Sequence, residues 1–158
     1  MAIIFQIIIL VRPRSILKMN NNPISPNEKQ EDPLEAIFVD ENVPADRKII
    51  AEILGQFVTI DKKGSISFTK SYDDLQHSKK VLVYMLCKKA MILRNLPDIK
   101  EYVTLNEVVE KALVSESNAK NALFTYYKDI VKKDGLGYII PNYKLTKAKE
   151  AISGKKDG

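Results

Sequence analysis

The sequence is poor in the residues that simple chemistries depend on. It has one cysteine, Cys87, and one histidine, His77, in 158 residues. A lone cysteine has no partner for an internal disulfide, and one cysteine with one histidine cannot complete an ordinary zinc site. Cys87 lies inside the apolar run VLVYMLC, the setting of a buried structural thiol rather than a reactive one. His77 stands between Gln76 and Ser78, just before a helix start, and reads as an exposed flanking residue. Glycine is scarce, with 6 residues, and none form a phosphate-cradling loop. The adjacent carboxylates Asp40-Glu41 and Asp73-Asp74 have no nucleophile–base set beside them and read as solvated acids. These absences point away from an enzyme and call for no cofactor and no metal.

Long apolar runs are also missing. The nearest is AIIFQIIILV, from Ala2 to Val11. It is too short for a membrane-spanning helix, which needs about 20 residues. Arg12 and Arg14 follow the run, whereas a signal peptide carries its positive charge in front. From Met19 a polar stretch, NNNPISPNEKQEDP, reads as a disordered leader over residues 1–33. Two readings of the first 18 residues stand: translation begins at Met19, which we prefer, or the run adds a strand or a membrane-surface contact. Either way the chain reads as cytoplasmic, with no membrane span.

What the sequence does have is unevenly placed positive charge. The net charge is +5. From Ser78 to Gly158 there are 16 Lys/Arg against 9 Asp/Glu, or +7, which leaves 9 against 11, or −2, for Met1 to His77. All of the excess lies in one half, the pattern expected when that half faces phosphate.

Ordered structure is expected from residue 34. In PADRKIIAEIL, Pro44 sits at a first-turn position, and Ile49, Ile50, Ile53 and Leu54 form one helical stripe ended by Gly55. QFVTI-DKKG-SISFT then reads as a hairpin, with Val58 and Ile60 alternating against Ile66 and Phe68. This unit, residues 34–77, is too small to stand alone and must pack on the rest of the chain. Next comes SKKVLVYMLCKKAMILRNL, a helix capped by Ser78 and ended before Pro97, apolar enough to be central. Its charges, Lys79, Lys80, Lys88, Lys89 and Arg94, read as solvated ends and edges.

Thr104 and Glu107 form a T-x-x-E capping box opening a short helix, with Val108, Val109 and Ala112 facing inward. Ser115 or Ser117 caps a second helix predicted to run from Ser117 to Lys133, with Gly135 as its terminating glycine. Its buried stripe is Ala119, Leu123, Tyr126, Tyr127 and Ile130. The opposite side carries Asn118, Asn121, Thr125 and Lys128, with Lys120 beside them. GYII and YKLT are expected to pair as a ribbon around Pro141-Asn142, and a last helix starts after Thr146.

VVEKALVSESNAKNAL resembles the helix-turn-helix of archaeal and bacterial winged-helix transcription regulators, and YKLTKAKEAI is similar to the Y-x-L-T segment that closes their wing. The resemblance spans residues 78–152, leaving 153–158 as a disordered tail. It departs in two places: Leu113 stands where a turn glycine is common, and the wing is short with no arginine at its tip. It implies an α+β fold, a mainly helical winged helix-turn-helix domain with the 34–77 helix and hairpin appended. It implies sequence-specific binding of double-stranded DNA and regulation of transcription, by a second helix entering the major groove. The residues it points to are Ser117, Asn118, Lys120, Asn121, Thr125, Lys128, Lys132 and Lys133. Asn pairs with adenine, Ser and Thr with bases or phosphates, and Lys with phosphates. A homodimer is expected, its contact supplied by the apolar residues of the 44–70 unit and the central helix. The competing expectation is a winged-helix module that docks protein and reads no DNA.

Overall fold

The computed structural model describes residues 33–154, so the apolar start, most of the leader and the end of the tail lie outside the described residues. The chain divides into two units, one ending at Phe38 and one beginning at Val39. Of the first, the described part is a single 3-10 helix, Pro33–Ile37, in which Ile37 is exposed.

The second unit opens with α1, Arg47–Leu54. Asp46, not Pro44, sets its start: the Asp46 carboxylate accepts from the backbone N–H groups of Lys48 and Ile49, satisfying donors that a helix end leaves open. Ile50, Ile53 and Leu54 are buried. Strands β1, Val58–Ile60, and β2, Ile66–Phe68, pair antiparallel with Val58 opposite Phe68 and Ile60 opposite Ile66. The loop between them closes on the Asp61 carboxylate, which accepts from the N–H groups of Lys63 and Ser65, with Gly64 at a φ of 90°. A short helix that the sequence pattern does not signal, α2 (Lys70–Asp73), places Tyr72 in the core, its ring stacked 3.9 Å from that of Phe68.

Helix α3, His77–Leu93, is central, with nine buried residues along it. It starts one residue before Ser78, with Gln76 at the N-cap position making no side-chain bond, and beyond its end Asn95 takes the left-handed conformation at a φ of 56°. Two of its lysines are not solvated. Lys89 is buried, donating to the carboxylate of Glu101 and to Asn142 Oδ1, and Lys88 bonds Glu107 at 2.8 Å. A buried ammonium is tolerated only with such partners.

Beyond α3, Val103 runs as one extended residue before α4, Leu105–Lys111. Helix α5, Glu116–Asn121, continues without a break into a π-helical turn, Ala122–Tyr126. Strands β3, Lys132–Asp134, and β4, Gly137–Ile139, form a second antiparallel hairpin. Val103 adds to the free edge of β4, exchanging two 2.9 Å hydrogen bonds with Tyr138. After a 3-10 turn, Asn142–Lys144, helix α6 spans Leu145–Ser153 and packs with α1 on α3. The architecture is α+β, and one hydrophobic core joins α1 and the first hairpin to everything from α3 onward.

The fold corrects several expectations. The second helix does not reach Lys133: it ends with the π turn, and Lys132 and Lys133 belong to β3. Gly135 therefore caps no helix but starts the two-residue turn Gly135-Leu136 with a φ of 55°. GYII pairs with the lysines before it, not with YKLT after it. The apolar residues expected to pair two subunits, Ile50, Ile53, Leu54, Phe57, Val58 and most of α3, are buried within the single chain.

Candidate nucleic-acid interface

Helices α4 and α5 meet at a tight bend, and local chemistry explains both sides of it. The Thr104 hydroxyl accepts from the Glu107 N–H at 3.2 Å, starting α4 as a cap should. The reciprocal half of the capping box is absent. Glu107 instead turns inward to accept from the Tyr84 hydroxyl at 2.6 Å and to pair with Lys88. Burial pushes the Glu107 carboxyl up, but Lys88 and Tyr84 more than offset this and hold it below the usual carboxylate value.

α4 stops at Ala112, and Leu113 turns the chain at a φ of 59° while its side chain stays 64% exposed. The bend is held from beneath by Tyr72, whose hydroxyl donates to the Ala112 carbonyl at 2.6 Å. Burial, with Cys87 and Asp73 nearby, pushes that phenol well above its ordinary range and keeps it a donor. Of the two candidate caps for α5, Ser115 serves, its Oγ accepting from the Asn118 N–H at 3.2 Å.

Ala119, Leu123, Tyr127 and Ile130 are buried, as the stripe predicts, and Ala122 is buried beside them, but Tyr126 is 65% exposed. The π turn accounts for it. Tyr127 N–H bonds the Ala122 carbonyl, five residues back, and the wider turn shifts the next residues out of straight helical register. The Tyr127 hydroxyl then anchors the segment to Ser78 at 3.2 Å.

The sequence-predicted site residues divide accordingly. Ser117, Lys120, Asn121, Thr125 and Lys128 are exposed along α5, the π turn and the residues just after, while Asn118 is half-buried at the flank. Lys120 pairs with Glu116 one turn earlier at 2.5 Å. Lys132 and Lys133 are exposed on β3, where with Lys128 and Lys144 they line an open depression that also takes in Asp129 and Tyr143. Lys144 is not among the residues that the sequence points to. Its signal, a lysine inside the wing-closing motif, is legible, but the motif reads there as part of a strand.

The sequence also misses a second group. From residue 44 to 154, every exposed large apolar side chain belongs to the stretch 113–136: Leu113, Phe124, Tyr126 and Leu136. Leu136 stands at the tip of the β3–β4 turn, and Phe124 lies edge-on to Tyr138 of β4 at 5.6 Å. The segment carrying the predicted lysines thus also carries these exposed apolar groups. Among the described residues there is no group of His, Cys, Asp and Glu placed to hold a metal, and Cys87 is fully buried, its thiol pushed up to about 12. No helix among them is long and apolar enough to cross a membrane. No family model, curated protein or solved structure matches the chain.

Proposed function

We propose that this chain is a winged helix-turn-helix protein that binds double-stranded DNA sequence-specifically and regulates transcription. The order α3, Val103, α4, α5, β3, β4 is the helix–strand–helix–helix–strand–strand order of such domains, with β3 and β4 as the wing. The observation that carries the reading is the outer side of residues 116–128. Ser117, Lys120, Asn121, Thr125 and Lys128 are exposed there, over an inner side packed on α3. In the major groove, Asn121 and Asn118 suit adenine, Ser117 and Thr125 suit base edges or phosphates, and Lys120, Lys128, Lys132 and Lys133 suit phosphates. Two chains acting on a palindromic site remain part of the proposal, with a contact other than the apolar residues now seen to be internal.

Anisotropy titration on duplex DNA at two salt concentrations tests it. Asn121→Ala should cost about 1–3 kcal/mol on a preferred site and little on random DNA. Lys128→Ala should weaken both alike and lower the salt slope by about one unit. Two chains bound per palindromic duplex is the expected stoichiometry. Equal binding by the double variant and the wild type would remove the assignment.

A docking module for another protein is the second reading, favoured by the exposed Leu113, Phe124, Tyr126 and Leu136 of the same segment. Under it, duplex binding is weak and indifferent to either substitution.

A further inference from the structure

We infer that Phe124 is a specificity residue that reads thymine, its ring meeting the C5-methyl group in the major groove; this rests on the DNA-binding reading above. Phe124 stands in the π turn between Asn121 and Lys128 and next to Thr125, and like these groups assigned to the DNA it is exposed. It is 49% exposed, although a phenylalanine gains by leaving water.

Its ring is nonetheless held. Tyr138 meets it edge-on at 5.6 Å and 63°, and Tyr138 is itself fixed by the backbone pair with Val103 and by β3. A preset ring loses little freedom on binding. The major groove displays hydrogen-bonding edges on every base pair but only one apolar group, the thymine methyl. An apolar side chain placed between base-reading and phosphate-reading positions therefore has one complement there. Lysines contribute to affinity but do not sense that methyl, so Phe124 can separate sequences that the charges treat alike.

Uracil provides the test, because it differs from thymine in duplex DNA only by the missing methyl. The probes are a short alternating d(A-T) duplex and its d(A-U) counterpart, titrated by anisotropy against the full chain. Wild type should bind the d(A-T) duplex about fourfold more tightly for each methyl covered, the factor for one buried methylene. Phe124→Ala and Phe124→Gln should bind both duplexes equally, whereas Phe124→Leu, still apolar, and Asn121→Ala should keep the preference. Far-UV circular dichroism and melting of each variant check that it is folded. If wild type binds both duplexes equally, or if a folded Phe124→Ala or Phe124→Gln keeps the preference, the inference is overturned while DNA binding stands. If wild type binds no duplex, one of random sequence included, the DNA-binding reading falls and takes the inference with it; if it binds the random duplex but neither of these, the inference alone is overturned.

Discussion

Leu113 occupies the bend between α4 and α5 in the left-handed conformation, at a φ of 59° with its side chain 64% exposed. For a residue with a Cβ that conformation costs roughly 1–2 kcal/mol. A glycine escapes the clash but gives back about 0.4–1 kcal/mol through its freer unfolded chain. Since the exposed leucine loses little packing, Leu113→Gly should raise stability by a net of about 0.5–1 kcal/mol. A urea midpoint that stays the same or falls would count against this account. The missing glycine is visible in the sequence; that leucine bears the strain rather than lengthening the helix is not. Lys89 shows the opposite limit. Nothing local separates it from Lys79 or Lys80, and only the convergence of Glu101 and Asn142 on one spot makes its burial possible.

Among the elements, the second hairpin departs most from what periodicity implies. Gly135 succeeds an amphipathic run, and its positive φ suits a helix terminus and a hairpin turn equally well. The π turn and the bend at residues 127–130 end the helix early, freeing Lys132–Asp134 to meet Gly137–Ile139. Asn142 opens a 3-10 turn rather than a strand, and its side-chain amide fixes it there, accepting from Lys89 and donating to the Val43 carbonyl at 3.0 Å. Val103 closes against β4 so tightly that a Cβ on Gly137 would meet the Val103 carbonyl oxygen at 2.5 Å and the Tyr102 ring at 2.7 Å. Gly137→Ala should therefore cost about 1–3 kcal/mol, in the range of overpacking. It should also raise amide exchange at Val103 and Tyr138. Unchanged protection at those two amides would show that the edge strand yields freely.

For the molecule as a whole, the helix and hairpin at 47–68 are not a tethered extra. Ile53 is 3% exposed and belongs to the same core as Leu86, Ala122 and Ile152. Ile53→Ala should cost about 2–5 kcal/mol, the range for truncating a buried isoleucine. It should lower one melting transition, seen alike by far-UV circular dichroism and tyrosine fluorescence. A separate early step for the first hairpin would show two cores where we describe one. Charge belongs to this scale too. The +7 of the Ser78–Gly158 half is countable without a structure, and the inner pairs Lys88–Glu107 and Lys89–Glu101, both within that half, cancel and leave it unchanged. Lys120 cancels against Glu116 in the same way, and the outward excess rests on exposed residues such as Lys128 and Lys133.

Composition, caps and hydrophobic spacing by themselves determined the helices near 47–54, 77–93, 105–111 and 145–153, a further helix opening at Ser115 or Ser117, and the two strands of the first hairpin. They could do so because each depends on neighbours a few residues apart: a carboxylate or hydroxyl on the first turn, a stripe every three or four positions, alternation across a strand. Exposure of Lys120, Asn121, Thr125 and Lys128 came from the same spacing, while Asn118, placed with them by it, is half-buried. Only the tertiary structure decided where that helix ends, which partner β4 takes, that Tyr72 holds the Ala112 carbonyl, that Lys89 lies inside, and that Phe124 and Tyr126 face out. Each of these depends on groups far apart in the chain meeting in one place, or on backbone conformations that serve two local structures equally well, so long-range packing has to choose between them.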